Sequence, residues 1–186
     1  TTIVSSLAGR RTRAYASVVV QNADDGGRLD PISVLMAVDR GVEDWRVEMD
    51  YAVGHVTLGP ERVFCATPDT AAGSYGPMVV KGYETETGTR SWRQDLPSPA
   101  TGTALGEGTL YLSLDDGVVA LDASTGDIVW ENYDVESTSG LTVAGETLLV
   151  GRRGRTGGEL RALDTVDGTE RWHHELEADV TVDPIV

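Results

Sequence analysis

Between residues 109 and 114 apolar and polar positions alternate, with Leu110, Leu112 and Leu114 on one side and Thr109, Tyr111 and Ser113 on the other. A strand turns successive side chains to opposite faces, so this period of two predicts a β-strand with one face in a core. Asp115-Asp116-Gly117 follows as a tight connection, with Gly117 expected to supply a positive φ. Residues 118–122 predict a second strand with Val119 and Leu121 to one side, and residues 127–131 a third with Ile128 and Trp130 on a shared face. Residues 141–143 and 147–150 open the same sequence of events again. No stretch carries an apolar stripe at the helical period of about 3.6 residues. The pattern predicts an all-β chain.

The strands recur in register with four tryptophans, Trp45, Trp92, Trp130 and Trp172, spaced 47, 38 and 42 residues apart. That spacing is close to one four-stranded propeller blade, about 40–45 residues. A local motif repeats with them: Ala-x-Asp, three residues, Gly, three residues, Trp. It reads Ala120, Asp122, Gly126, Trp130 and again Ala162, Asp164, Gly168, Trp172. The second repeat keeps the spacing with Gly82, Glu84, Gly88 and Trp92, and the first has Ala37, Asp39, Gly41 and Trp45 with a turn two residues shorter. The expected fold is therefore a β-propeller segment of four-stranded antiparallel blades, at 1–49, 50–96, 97–136 and 137–177, with 178–186 as the first strand of a further blade. With strands named A to D in each blade, A–B and C–D turns share one end and B–C and D–A loops the other. The B–C loops vary most, at 22–31, 67–77, 115–117 and 152–158, so binding is expected at that end.

At the Ala-x-Asp-x-x-x-Gly-x-x-x-Trp motif the chain resembles the quinoprotein-like propellers. That family holds the pyrroloquinoline-quinone (PQQ) alcohol dehydrogenases and a non-catalytic, BamB-like branch. The resemblance covers nearly the whole chain and is clearest over 105–177. It implies a ring of seven or eight blades, and a structural role in which each of the four tryptophans docks against a neighbouring blade. The dehydrogenases carry an adjacent cysteine pair beside the quinone, whereas this chain has one cysteine, Cys65. Their metal-binding and catalytic acids match no position here.

Charge narrows the picture. Thirty acidic residues face 15 basic ones, a net charge of −15, and Lys81 is the one lysine beside 14 arginines. Dense carboxylates suit a surface adapted to concentrated salt, with an acidic face for a basic partner as the sharper reading, and they disfavour nucleic-acid phosphates. No apolar run is long enough to span a bilayer. Cys65 sits in an apolar run and reads as a buried thiol. His173 and His174, adjacent on a strand, point to opposite faces and do not form a chelating pair. The acid-rich turns, such as Asp24-Asp25-Gly26 and Asp115-Asp116-Gly117, are turn chemistry rather than calcium loops. Two arginine clusters stand out, Arg152, Arg153 and Arg155 in a B–C loop and Arg10-Arg11-Thr12-Arg13 in an A–B connection. The first is the candidate contact for an anion or partner, against local pairing with Asp and Glu.

The leading functional expectation is a non-catalytic scaffold that binds protein partners outside the membrane or at a cell surface, without a cofactor. The alternative is a piece of a PQQ-dependent dehydrogenase, with PQQ and calcium held by residues outside this segment. A sensor domain is a third reading. Two open lateral edges suggest an excised segment, or two copies paired into an eight-bladed ring.

Overall fold

The computed structural model describes residues 2–23, 29–50, 53–68, 77–135, 138–153 and 157–177. Among them the chain is all β, in four antiparallel four-stranded sheets whose strands follow one another in sequence order. The first holds β1 (Thr2–Arg10), β2 (Arg13–Ala23), β3 (Leu29–Asp39) and β4 (Val42–Met49). The second holds β5 (His55–Leu58), β6 (Arg62–Pro68), β7 (Met78–Glu84) and β8 (Arg90–Leu96). The third is β9 (Ala100–Gly106), β10 (Thr109–Leu114), β11 (Gly117–Asp122) and β12 (Ile128–Asn132). The fourth is β13 (Thr138–Ala144), β14 (Thr147–Arg153), β15 (Gly158–Asp164) and β16 (Glu170–Leu176). No helix among the described residues is long and apolar enough to cross a membrane. The further strand expected over 178–186 lies outside the described residues.

Two units divide the chain, residues 1–97 and 98–186, each with two sheets. In the first unit, the facing sides of its two sheets bury Leu35, Val53, Val63, Cys65 and Tyr83 around Tyr15, Ala37 and Trp45. In the second, Val118, Leu141, Leu148, Val150 and Leu163 surround Tyr111, Ala120 and Trp130. The alternation in the sequence thus becomes a seam of interleaved apolar side chains within each unit.

Three expectations are corrected. Gly117 does not hold a positive φ; it opens β11 where an added Cβ would meet the Asn132 carbonyl oxygen at 2.7 Å, so close approach selects it. Ile128 and Trp130 do not share a face, because the β11–β12 register shifts between them: Ala120 pairs with Trp130, and Leu121 with Ile128. Val129 is the extra residue of that bulge, and Ile128 and Val129 are exposed while Trp130 is buried. Arg152 and Arg153 belong to β14 rather than to the loop that follows.

Candidate functional site

The same three-residue rung crosses every sheet. Tyr15 pairs with Ala37 and Ala37 with Trp45; Phe64, Gly82 and Trp92 repeat it. Tyr111, Ala120 and Trp130 form the third, and Leu149, Ala162 and Trp172 the fourth. The middle residue is small because the indole lies over it: an added Cβ at Gly82 would stand 2.6 Å from the Trp92 ring. In the first three sheets the first residue of the rung packs tilted against the indole, with Tyr15–Trp45 and Tyr111–Trp130 ring centroids 6.0 and 5.9 Å apart and Phe64–Trp92 5.7 Å. The C–D register shifts just before each tryptophan, leaving Asp44, Ser91, Val129 and Arg171 as bulged residues.

The acidic and glycine positions of the motif close the C–D turn. Asp122 Oδ1 accepts from the Ser124 and Thr125 amides at 2.7 and 3.0 Å, and Gly126, at φ 83°, donates to the Asp122 carbonyl. Asp164 and Gly168 repeat this, with Val166 N on Asp164 Oδ1 at 2.8 Å, and Glu84 and Gly88 keep the backbone bond. Asp39, Arg40 and Gly41 form a two-residue turn with φ 50° and 84° at its centre. In every sheet the C–D turn donates to a carbonyl of its own A–B turn, as from Arg40 N to Thr12 O and from Thr165 N to Glu146 O. Both turns therefore lie at one end.

At that end each unit joins its two sheets by the same three groups. Trp45 Nε1 donates to Thr85 O at 2.9 Å, and Tyr15 OH reaches the same oxygen at 3.4 Å. In the second unit Trp130 Nε1 and Tyr111 OH converge on Thr165 O at 3.0 and 3.3 Å. Trp45 covers Gly88 and Trp130 covers Gly168. Trp92 is buried, whereas Trp172 is 46% exposed.

Outward from Thr85 the two units diverge. In the first, a cleft of about 440 Å³ opens between the A–B hairpin of one sheet and the turns of the next, lined by Arg10, Arg11, Arg13, Asp39, Pro60 and Glu86 among others. Arg13 bridges the seam, paired with Asp44 and, at 2.8 Å, with Glu86. In the second unit the equivalent positions are Thr109, Val129 and Val166, and both valines are exposed. A separate recess of about 420 Å³ in the second unit lies away from these positions, walled by Glu131, Tyr133, Asp134, Arg161, Asp167 and Glu170. Burial, with Glu131 accepting its hydrogen bond, pushes the Tyr133 hydroxyl up to about 12.

Of the arginines singled out at the fourth sheet, Arg152 donates to Glu159 at 3.1 Å, and Glu159 also takes Arg161. The Arg153 side chain and Arg155 lie outside the described residues, as do most of the B–C loops. Cys65 is fully buried opposite Lys81, and burial raises its thiol to about 12. Lys81, itself buried, stands 3.7 Å from Asp50. His173 is set against Glu170 at 2.7 Å. The sequence drew attention to Arg10–Arg13 as a cluster, but not to the cleft, whose other walls come from residues 58–60 and 85–86.

Sequential four-stranded sheets, each closed by one turn design and crossed by one rung, define a PQQ-like β-propeller repeat protein. Residues 31–186 match the family described as outer membrane protein assembly factor BamB, and the chain belongs to that family. It is 29% identical over 190 residues to a quinohemoprotein alcohol dehydrogenase of Comamonas testosteroni, covering 87% of this chain and 25% of the dehydrogenase. It is 32% identical over 131 residues to the serine/threonine-protein kinase AfsK of Streptomyces coelicolor, covering 66% of this chain and 15% of the kinase. Among solved structures, BamB from Moraxella catarrhalis superposes with a TM-score of 0.67 at 16% identity, over 94% of this chain and 50% of that one. The chain thus spans a quarter or less of the two sequence relatives.

Proposed function

We propose that this chain is a non-catalytic segment of a β-propeller that holds protein partners. One observation carries the reading: the residues that recur in all four sheets are consumed by architecture. The small residue seats the indole, and the acid and glycine close the turn. What differs between repeats is surface, as at Arg13, Asp44 and Glu86 against Thr109, Val129 and Val166. A rigid frame with individual turn surfaces suits recognition of other proteins. The family's description as an assembly factor supports the same direction, and an extracytoplasmic setting with it. In this proposal the tryptophans dock blade on blade through the whole parent ring, completed by further blades of the same chain or by a second copy. The acidic surface works in concentrated salt and does not engage nucleic acid.

The likeness to a quinohemoprotein dehydrogenase supports the second reading, a dehydrogenase segment whose quinone ligands lie elsewhere. One experiment separates them. The full parent protein is titrated with PQQ and Ca²⁺ while quinone absorbance is followed, and the same preparation is cross-linked in its native envelope. A scaffold leaves the quinone free and cross-links to a discrete protein. Stoichiometric quinone uptake with dye reduction by alcohols would overturn the scaffold reading.

A further inference from the structure

We propose that the cleft at the turn end of the first unit is a docking site for a protein segment bearing acidic side chains, gripped by Arg10 and Arg11. This rests on the protein-binding reading and specifies its surface and partner chemistry.

The fold itself does not require these arginines. The second unit builds the same seam, with its Trp and Tyr on one threonine carbonyl, from a hairpin that reads Gly106-Glu107-Gly108-Thr109 where the first reads Arg10-Arg11-Thr12-Arg13. In the fourth sheet the corresponding hairpin is Ala144-Gly145-Glu146-Thr147. Gly145 holds φ 58° there, Glu107 φ 47° in the third sheet and Arg11 φ 56° in the first. A non-glycine residue in the left-handed region costs about 1 kcal/mol. The position thus accepts glycine, glutamate or arginine, so the hairpin does not dictate arginine, and the paired positive charge of Arg10 and Arg11 is particular to the first sheet.

The charge is also available. Arg13 is engaged by Asp44 and Glu86, but Arg10 and Arg11 are exposed and form no ion pair among the described residues. The exposed guanidiniums of Arg10 and Arg11 at the mouth of the cleft match carboxylates, which they can take in paired hydrogen bonds. The adjoining recess of about 400 Å³, lined by Ala8, Gly9, Arg10, Leu58, Gly59 and Pro60, leaves room for an intervening side chain. A net charge of −15 repels polyanions at long range, so selection here acts at contact, on a short acidic segment rather than on nucleic acid or a dense anionic surface.

The probe is a labelled peptide of alternating Glu and Leu, capped at both ends, read by fluorescence anisotropy on the full chain at moderate salt. Binding is expected, weakening as salt rises, and the Gln–Leu counterpart should not bind. The double variant Arg10→Ala, Arg11→Gly copies the hairpin of the fourth sheet and relieves the left-handed strain, so it should fold at least as stably. Its affinity for the Glu–Leu peptide should fall about tenfold, as expected for losing two charge-assisted contacts. Equal binding of the Gln–Leu peptide, or unchanged affinity in the folded variant, would overturn the site. Displacement by citrate at the peptide's own affinity would overturn the protein-segment assignment. If the site fails while the native cross-link to a protein survives, the scaffold reading stands and its surface lies elsewhere. If the peptide binds but no protein cross-links, the cleft stands and the scaffold reading falls.

Discussion

Gly41 and Gly88 both hold a left-handed backbone, with φ 84° and 69°, yet they stand in different surroundings. A Cβ added at Gly41 meets nothing within 4 Å, whereas one added at Gly88 stands 2.7 Å from the Trp45 ring. Alanine at Gly41 should therefore cost the conformational term alone, about 1 kcal/mol. At Gly88 the indole must also move, and overpacking of this kind adds about 1–3 kcal/mol. The stability of Gly88→Ala should accordingly fall below that of Gly41→Ala by about 2 kcal/mol in denaturant unfolding. Equal losses would mean that Trp45 yields freely and does not clamp the seam. The buried Nε1 bond to Thr85 O argues otherwise, because a displaced indole leaves a buried donor unpaired.

At the scale of an element, the outer strands of the fourth sheet carry a linked set of charges. Arg171 holds the Asp164 carboxyl below its ordinary value, with the Val166 amide assisting. Burial pushes the Glu159 carboxyl up, but hydrogen bonds from Arg161 and Arg152 outweigh it and leave it low. Glu170, hydrogen-bonded to His173, raises that imidazole. A lowered carboxyl contributes stability above its unfolded value, and the contribution is lost as pH falls through the folded one. A raised imidazole contributes below its unfolded value and loses that contribution as pH rises through the folded one. The β15–β16 hairpin should thus loosen on acidification and, more weakly, above neutrality. In an NMR titration His173 should keep its proton to higher pH than an ordinary imidazole, and Glu170→Gln should bring it down; an unmoved His173 would break the link. These elements were legible in sequence to different depths. Alternation at 109–114 and the tryptophan spacing announced strands and blades, because both follow from local geometry. The bulge before each tryptophan was hidden, since Asp44, Ser91, Val129 and Arg171 share no chemistry. The cleft was hidden too, because Arg13 meets Glu86 only after the chain has built most of a second sheet.

For the molecule as a whole, the balance between paired and unpaired charge decides how salt acts. Arg13, Arg46, Arg62, Arg93, Arg152, Arg161 and Arg171 are each paired with a carboxylate, mostly at partly exposed positions. Such pairs are worth about 0–1 kcal/mol apiece and weaken as salt screens them. Against them stands a net excess of 15 acidic over basic residues in the chain. Their mutual repulsion acts over the Debye length, which contracts from about 10 Å at 0.1 M to about 3 Å at 1 M salt. If the repulsive excess outweighs the exposed pairs, as the charge count implies, the melting temperature should climb with KCl. Most of the climb should come in the decade in which the screening length shrinks below the spacing of surface charges. Neutralising the exposed acids Glu107, Asp115 and Asp134 as their amides should flatten it, because each substitution removes repulsion without breaking an ion pair. A melting temperature indifferent to KCl would show that the arginine pairs already offset the acidic excess, and the proposal of a salt-adapted surface would fall.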